Sequence, residues 1–191
     1  MSIVHFPRKD PPLGISRFRD LDSNFDWVRR YAAIGDSLTA GVGSGSRLGL
    51  PWYRFDDWMC SRYDLSWPML IYNYIGSGIE DFQYTACMGA ETPDIYKQIQ
   101  NLKGDLDLVV MTAGGNDLCL VHTIINCVIL AYFGDKECDN ILDQAKKNLD
   151  NIVKNNIKEL LLGLNPKMRK DGGSSLAMRR FLRKSYPSHC L

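Results

Sequence analysis

Tyr31-Ala32-Ala33-Ile34-Gly35-Asp36-Ser37-Leu38-Thr39-Ala40-Gly41 is the stretch whose reading decides the fold class of this chain. Its first four residues form an apolar run of buried-strand length, and Gly35 ends it. Asp36-Ser37-Leu38-Thr39-Ala40 then reads as the start of a helix. A serine at a strand-to-helix turn has its hydroxyl held clear at the C-terminal edge of a sheet. Helix N-terminal amides lie close by and can stabilise negative charge. Gly35 allows the backbone to approach closely.

The same pattern recurs later. Leu106 to Thr112 (Leu-Asp-Leu-Val-Val-Met-Thr) is the strongest strand signal in the chain. It runs into Ala113-Gly114-Gly115-Asn116-Asp117. In an open α/β sheet both loops leave from the edge where ligands bind. A side-chain amide beside an exposed serine is the raw material of an oxyanion hole. Between these junctions, Phe82 to Ala86 alternates like a second strand. Thr92-Pro93 reads as a helix entry with Thr92 as N-cap. Ile95, Tyr96, Ile99 and Leu102 share one face of that helix, and Gly104 is expected to end it. A later helix is written in Leu142, Ala145, Leu149, Ile152 and Val153, extending to about Leu164, with lysines and aspartates on its other face. The alternation of strand and helix predicts an α/β fold with a largely parallel sheet.

The totals bound the rest. The chain has 191 residues and a formal net charge of +1, with 45% hydrophobic and 24% charged residues. That suits one globular domain and carries no signature of a nucleic-acid or acidic-membrane partner. Residues 1–29 hold Pro7, Pro11, Pro12 and Gly14 and read as an irregular N-terminal extension, with no apolar run of signal-peptide length. The most apolar stretch, Leu118 to Phe133, is broken by His122, Thr123 and Asn126. It is too short and too polar for a membrane span and is expected to be a buried helix. The six cysteines show no C-x-x-C pair. Cys127 and Cys138 could close a short loop around Gly134, and Cys60 and Cys87 could staple two longer ones, with the pairing left open. Bonds of that kind imply an oxidising compartment. Gly41-Val42-Gly43-Ser44-Gly45 lies after the helix start and lacks the lysine of a phosphate loop, so nucleotide binding is not read from it.

The junction residues give a specific resemblance. Gly35-Asp36-Ser37-Leu38 resembles the signature of the GDSL (SGNH) serine ester hydrolases. Gly114-Gly115-Asn116-Asp117 resembles that family's third block, and Cys87-Met88-Gly89-Ala90 its second. Cys60-Ser61-Arg62-Tyr63-Asp64 and Ala86-Cys87 look like a fungal-type secreted subgroup. The resemblance runs from about Trp27 to Gly172. It implies a flavodoxin-like three-layer α/β fold with a parallel sheet over residues 30–172, and an extracellular esterase or lipase. Ser37 would be the nucleophile. The amides of Ser37 and Gly89 and the side chain of Asn116 would stabilise the tetrahedral oxyanion. Asp36 and Asp117 would shape their turns through local hydrogen bonds. The substrate would be a small-molecule or polymer-borne ester, and no metal or organic cofactor is implied.

The resemblance also implies a base. A serine hydroxyl needs one to become a nucleophile near neutral pH, and the family supplies it as a histidine in an Asp-x-x-His motif. None of the three histidines (His5, His122 and His189) follows an aspartate at that spacing. His122 is expected to be a packed structural residue. Past Asn165–Gly172 the family continues into an apolar strand. Here Gly173-Ser174-Ser175-Leu176-Ala177-Met178-Arg179-Arg180 has no strand pattern, whereas a shifted reading frame admits valine-rich codons. Residues 173–191 are therefore expected to be an aberrant, frame-shifted or mis-spliced tail. The expected outcome is a marginally stable three-stranded remnant, lacking the C-terminal strands and exposing an apolar strand edge. Two alternatives to catalysis follow. One is an inactive fragment or pseudo-hydrolase. The other is a carbohydrate- or lipid-binding module, in which Trp52, Tyr53, Phe55, Trp58 and Trp67 would line the cleft.

Overall fold

A computed structural model of the chain describes residues 25–129 and 135–170. Residues 1–24 of the expected extension over residues 1–29, the expected aberrant tail, His5 and His189 lie outside the described residues. The elements run β1 (Arg30–Gly35), α1 (Ser37–Ala40), α2 (Phe55–Met59), α3 (Trp67–Ile75), β2 (Asp81–Tyr84), α4 (Thr92–Asn101), β3 (Leu108–Thr112), α5 (Leu120–Thr123), α6 (Asp135–Asn148) and α7 (Lys154–Leu164). The three strands form one parallel sheet in the order β2-β1-β3.

β1 is the central strand, buried on both faces, which is why it reads as an unbroken apolar run. Tyr31 and Ala33 point to one side, where they pack with Met69 and Tyr72 of α3 and with Tyr84. Ala32 and Ile34 point to the other, against Ile95 and Ile99 of α4 and Leu160 and Leu164 of α7. This period-two split gives the sheet a helical layer on each face, the three-layer arrangement expected. Two polar bonds lock the strand's entry, because the Arg29 and Arg30 amides both donate to the Asp107 carboxylate, at 2.7 and 2.8 Å.

Several boundaries differ from expectation for local reasons. Helix α4 is capped by Glu91, whose amide reaches Asp94 at 3.4 Å, so Thr92 lies inside the first turn. It ends at Asn101, before Gly104 is reached, where Lys167 Nζ donates to the Gln100 and Leu102 carbonyls at 3.0 and 2.6 Å. β2 stops at Tyr84, since Thr85 and Ala86 both turn their amides onto the Ala33 carbonyl. Leu106 lies outside β3 and pairs on its far side, where its amide donates to Lys167 and its carbonyl accepts from Arg169. Leu108–Thr112 itself has no strand on that side among the described residues, and all five of its residues are partly exposed.

The largest difference concerns the apolar stretch after the third junction. Its described part is helical from Leu120, as α5 followed by a wider π turn over Ile124–Ile129, and that helix is not buried. Val121 is 51% exposed, Val128 70% and Ile129 68%. His122 is exposed as well, so it is not a packed core residue. The helix leaves the sheet after a left-handed turn at Cys119 and is fastened to α6 through the Cys127–Cys138 disulfide. No helix among the described residues is long and apolar enough to cross a membrane.

From Asp135 to Leu164 the chain is continuously helical, through a π turn at Leu149–Val153. Its buried face is Ile141, Asn148, Val153, Asn156, Leu160 and Leu164, whereas Leu142 and Leu149 are exposed. The face is rotated from the expected one because two asparagines, not leucines, meet the sheet edge.

The tightest point of the sheet is Gly35, with φ +129°. A Cβ there would lie 2.3 Å from the Thr112 carbonyl oxygen. Gly35→Ala is therefore expected to destabilise the protein by on the order of 3 kcal/mol in denaturant unfolding. Gly104→Ala, where a Cβ meets nothing within 4 Å, should stay within about 0.5 kcal/mol of the parent protein.

Candidate active site

Three loops leave the C-terminal edge of the sheet, and each carries one residue singled out in the sequence. Ser37 opens α1, two residues after β1. Gly89 follows β2, in a loop whose Cys87 amide donates to the Gly35 carbonyl at 2.9 Å. Asn116 follows β3, and its Nδ2 donates to the Ala90 carbonyl at 2.8 Å. Two of the loops are thus bonded to each other and one to the end of β1. Ser37 and Asn116 are half-buried, and Gly89 is exposed with φ +81° and open space where a Cβ would be.

The serine turn is held by a directed set of hydrogen bonds. Asp36 caps α1, its Oδ1 accepting from the Leu38 amide at 3.0 Å, the local bond expected of it. The same oxygen accepts from Thr112 Oγ1 at 2.6 Å. Thr39 Oγ1 lies 2.6 Å from Thr112 Oγ1. Each hydroxyl has one proton and an ionised carboxylate only accepts. The order is therefore fixed: Thr39 donates to Thr112, and Thr112 donates to Asp36. The Thr112 amide in turn donates to Thr39 Oγ1 at 3.0 Å. The Ser37 turn is tied in this way to the end of the neighbouring strand.

Further residues that sequence reasoning missed complete the frame. Gln98 of α4 pairs both polar atoms of Gly35, accepting from its amide at 2.8 Å and donating to its carbonyl at 3.0 Å. Tyr84 Oη lies 2.9 Å from the Thr39 and Ala40 carbonyls and from Ser66 Oγ. Burial pushes this phenol up to about 12, so it stays a donor to the end of α1 at any physiological pH. Arg62, buried, joins the Ala86 carbonyl to Asp57, at 2.7 and 2.6 Å. Cys60 and Cys87 are joined in a disulfide, and the Met88 amide donates to the Cys60 carbonyl. The aromatic excursion over residues 50–60 is thereby stapled to the Gly89 loop. Of its neighbours, Trp67 reaches the serine turn, with Nε1 donating to the Leu38 carbonyl at 3.0 Å. Trp52, Tyr53 and Phe55 are exposed.

Asp117 departs from expectation. Instead of a local turn bond, its fully buried carboxylate accepts from the amide and hydroxyl of Thr92, 25 residues away. Among the described residues, no histidine hydrogen-bonds to Ser37 and no group of side chains is arranged to hold a metal ion.

With these loops in place, comparison with known proteins becomes informative. A lipase of Streptomyces rimosus is 37% identical over 99 residues, and lipase 1 of Streptomyces coelicolor is 34% identical over 100. The chain is similar to Streptomyces lipases. Each match takes in about half of this chain, 51% and 52%, and 34% of the lipase. The solved extracellular lipase of S. rimosus superposes with a TM-score of 0.61 at 28% identity, covering 73% of this chain and 56% of that one. A phospholipase A1 from Streptomyces albidoflavus gives 0.60 at 27% identity, covering 74% and 56%. No family model matches. The fold is the three-layer α/β arrangement of the SGNH hydrolases, as the junction motifs implied.

The Asp36–Thr112–Thr39 set has a measurable consequence. Thr112→Val keeps the side-chain shape but removes the hydroxyl between two buried partners. It is expected to destabilise by about 2 kcal/mol in urea unfolding. Thr112→Ser, which restores the hydroxyl, should cost less than half as much.

Proposed function

We propose that the protein hydrolyses carboxylic esters of lipid-like substrates through an acyl-enzyme on Ser37. The amides of Ser37 and Gly89 and the side chain of Asn116 stabilise the tetrahedral oxyanion. The observation that carries this reading is the bond from Asn116 Nδ2 to the Ala90 carbonyl. It fixes an amide donor beside the loop that presents Gly89, at the sheet edge where Ser37 emerges. Donors preset where charge develops are worth about 10²–10³ in rate each. The lipase and phospholipase names of the similar proteins support a lipid ester as substrate. The Cys60–Cys87 and Cys127–Cys138 disulfides and the extracellular lipase among those proteins support secretion. No cofactor is required by this chemistry.

A second reading draws on the exposed Trp52, Tyr53 and Phe55. Such a protein keeps the fold and binds a carbohydrate or lipid without turning it over.

Turnover of a short-chain p-nitrophenyl ester separates the two. The first reading expects hydrolysis that falls by about 10³-fold or more in Ser37→Ala and by about 10²–10³-fold in Asn116→Ala. Hydrolysis equal to background in the parent protein, or unaffected by Ser37→Ala, would sink it.

A further inference from the structure

We infer that Thr92, Asp117, Asn148 and Asn156 form a buried positioning network that sets the Asn116 amide against the Gly89 loop. The inference rests on the ester-hydrolase reading for its catalytic meaning and on geometry alone for its structural one.

Gly89 and Ala90 lead directly into α4, and Thr92 is its first residue. Asn116 and Asp117 are neighbours in the turn after β3. Asp117 clamps the two segments together. Its Oδ2 accepts from the Thr92 amide at 3.0 Å and its Oδ1 from the Thr92 hydroxyl at 2.6 Å. The Asn116-to-Ala90 bond runs alongside, so adjacent residues of one loop hold adjacent residues of the other.

The long helix supports this clamp from behind. The Thr92 hydroxyl gives its one proton to the carboxylate, so it accepts from Asn156 Nδ2, at 2.7 Å. Asn148 Nδ2 donates to the Asp117 carbonyl at 2.8 Å, and Gln144 Nε2 donates to Asn148 Oδ1 at 2.8 Å. Thr92, Asp117, Asn148 and Asn156 are all buried. Each of these protons has a definite direction, because a carboxylate and a carbonyl only accept. A buried network so directed has a single arrangement, and breaking one link leaves a desolvated group without its partner. None of the four needs to touch substrate. They act through Asn116, whose distance from Gly89 determines whether both donors meet one oxyanion.

The test uses the full-length protein with Thr92→Val, which keeps the shape and loses the hydroxyl, and Thr92→Ser, which keeps both hydroxyl and amide. The expected result is a kcat about 10–100-fold lower for Thr92→Val with KM within about twofold, and recovery of most of the loss in Thr92→Ser. In the Asn116→Ala background, Thr92→Val should produce no further fall, because the residue it acts through is gone. An equal fall in both backgrounds would mean a merely structural role and would overturn the inference. NMR of the Asn116 side-chain amide supplies a readout independent of turnover. Its resonances should shift or broaden in Thr92→Val and return in Thr92→Ser, and unchanged resonances would overturn the inference. If the parent protein hydrolyses no ester, the functional reading fails, and the NMR result still decides the network.

Discussion

Gly35 is where the three loops of the candidate site are referred to a common origin. Its carbonyl accepts from Cys87, its amide and carbonyl are both paired by Gln98, and its missing side chain leaves room for the Thr112 backbone and the Thr39 hydroxyl. A methyl group at this one position would separate β1 from β3 and so Ser37 from Asn116. The positive φ that glycine alone adopts cheaply is thus a condition for the geometry of the whole edge.

Around that point the interior is divided by chemistry. The two faces of β1 are apolar, and their burial drives the assembly of the layers. The C-terminal edge is polar, and there buried hydroxyls, amides and carboxylates are paired in directed chains: Asp36–Thr112–Thr39 under the serine, and Asp117–Thr92–Asn156 under the asparagine. Such groups add little net stability individually, but each costs dearly if left without a partner. They specify one arrangement where apolar packing would tolerate several. The Arg62–Asp57 pair plays the same part beneath the Cys60–Cys87 staple.

Much of this was legible in the chain itself. Tyr31–Ile34 read as a buried strand and is one, and the Gly-Asp-Ser and Gly-Gly-Asn-Asp junctions pointed to the edge that carries the candidate site. Spacing allowed Cys60 to meet Cys87 and Cys127 to meet Cys138 without deciding it, and the fold forms both bonds. What escaped were the long-range polar partners. Thr92 looked like a helix cap because threonine before proline is usually one, yet its hydroxyl serves Asp117, 25 residues on. Asn148 and Asn156 sit at core-facing spacing in a lysine- and aspartate-rich helix, and two buried asparagines were the available signal that this face meets polar groups. The leucine pattern pointed elsewhere, and the π turn at Leu149–Val153 shifts the register by part of a turn. Leu120–Ile129 was misread for the opposite reason. Apolar composition reports what a segment would gain by burial, whereas here the turn at Cys119 directs it outward among the described residues.

The strand order carries a consequence for the time at which the molecule can form. β1 pairs with residues far along the chain, Arg30 with Asp81 and Tyr31 with Leu108. No hairpin nucleates the sheet, so both pairings wait on the closure of long loops. At synthesis rates of about 5–20 residues per second, the central strand emerges some 4–15 s before its second neighbour exists. During that interval the central strand has at least one side unpaired, and the nascent protein depends on whatever shields it until Thr112 arrives.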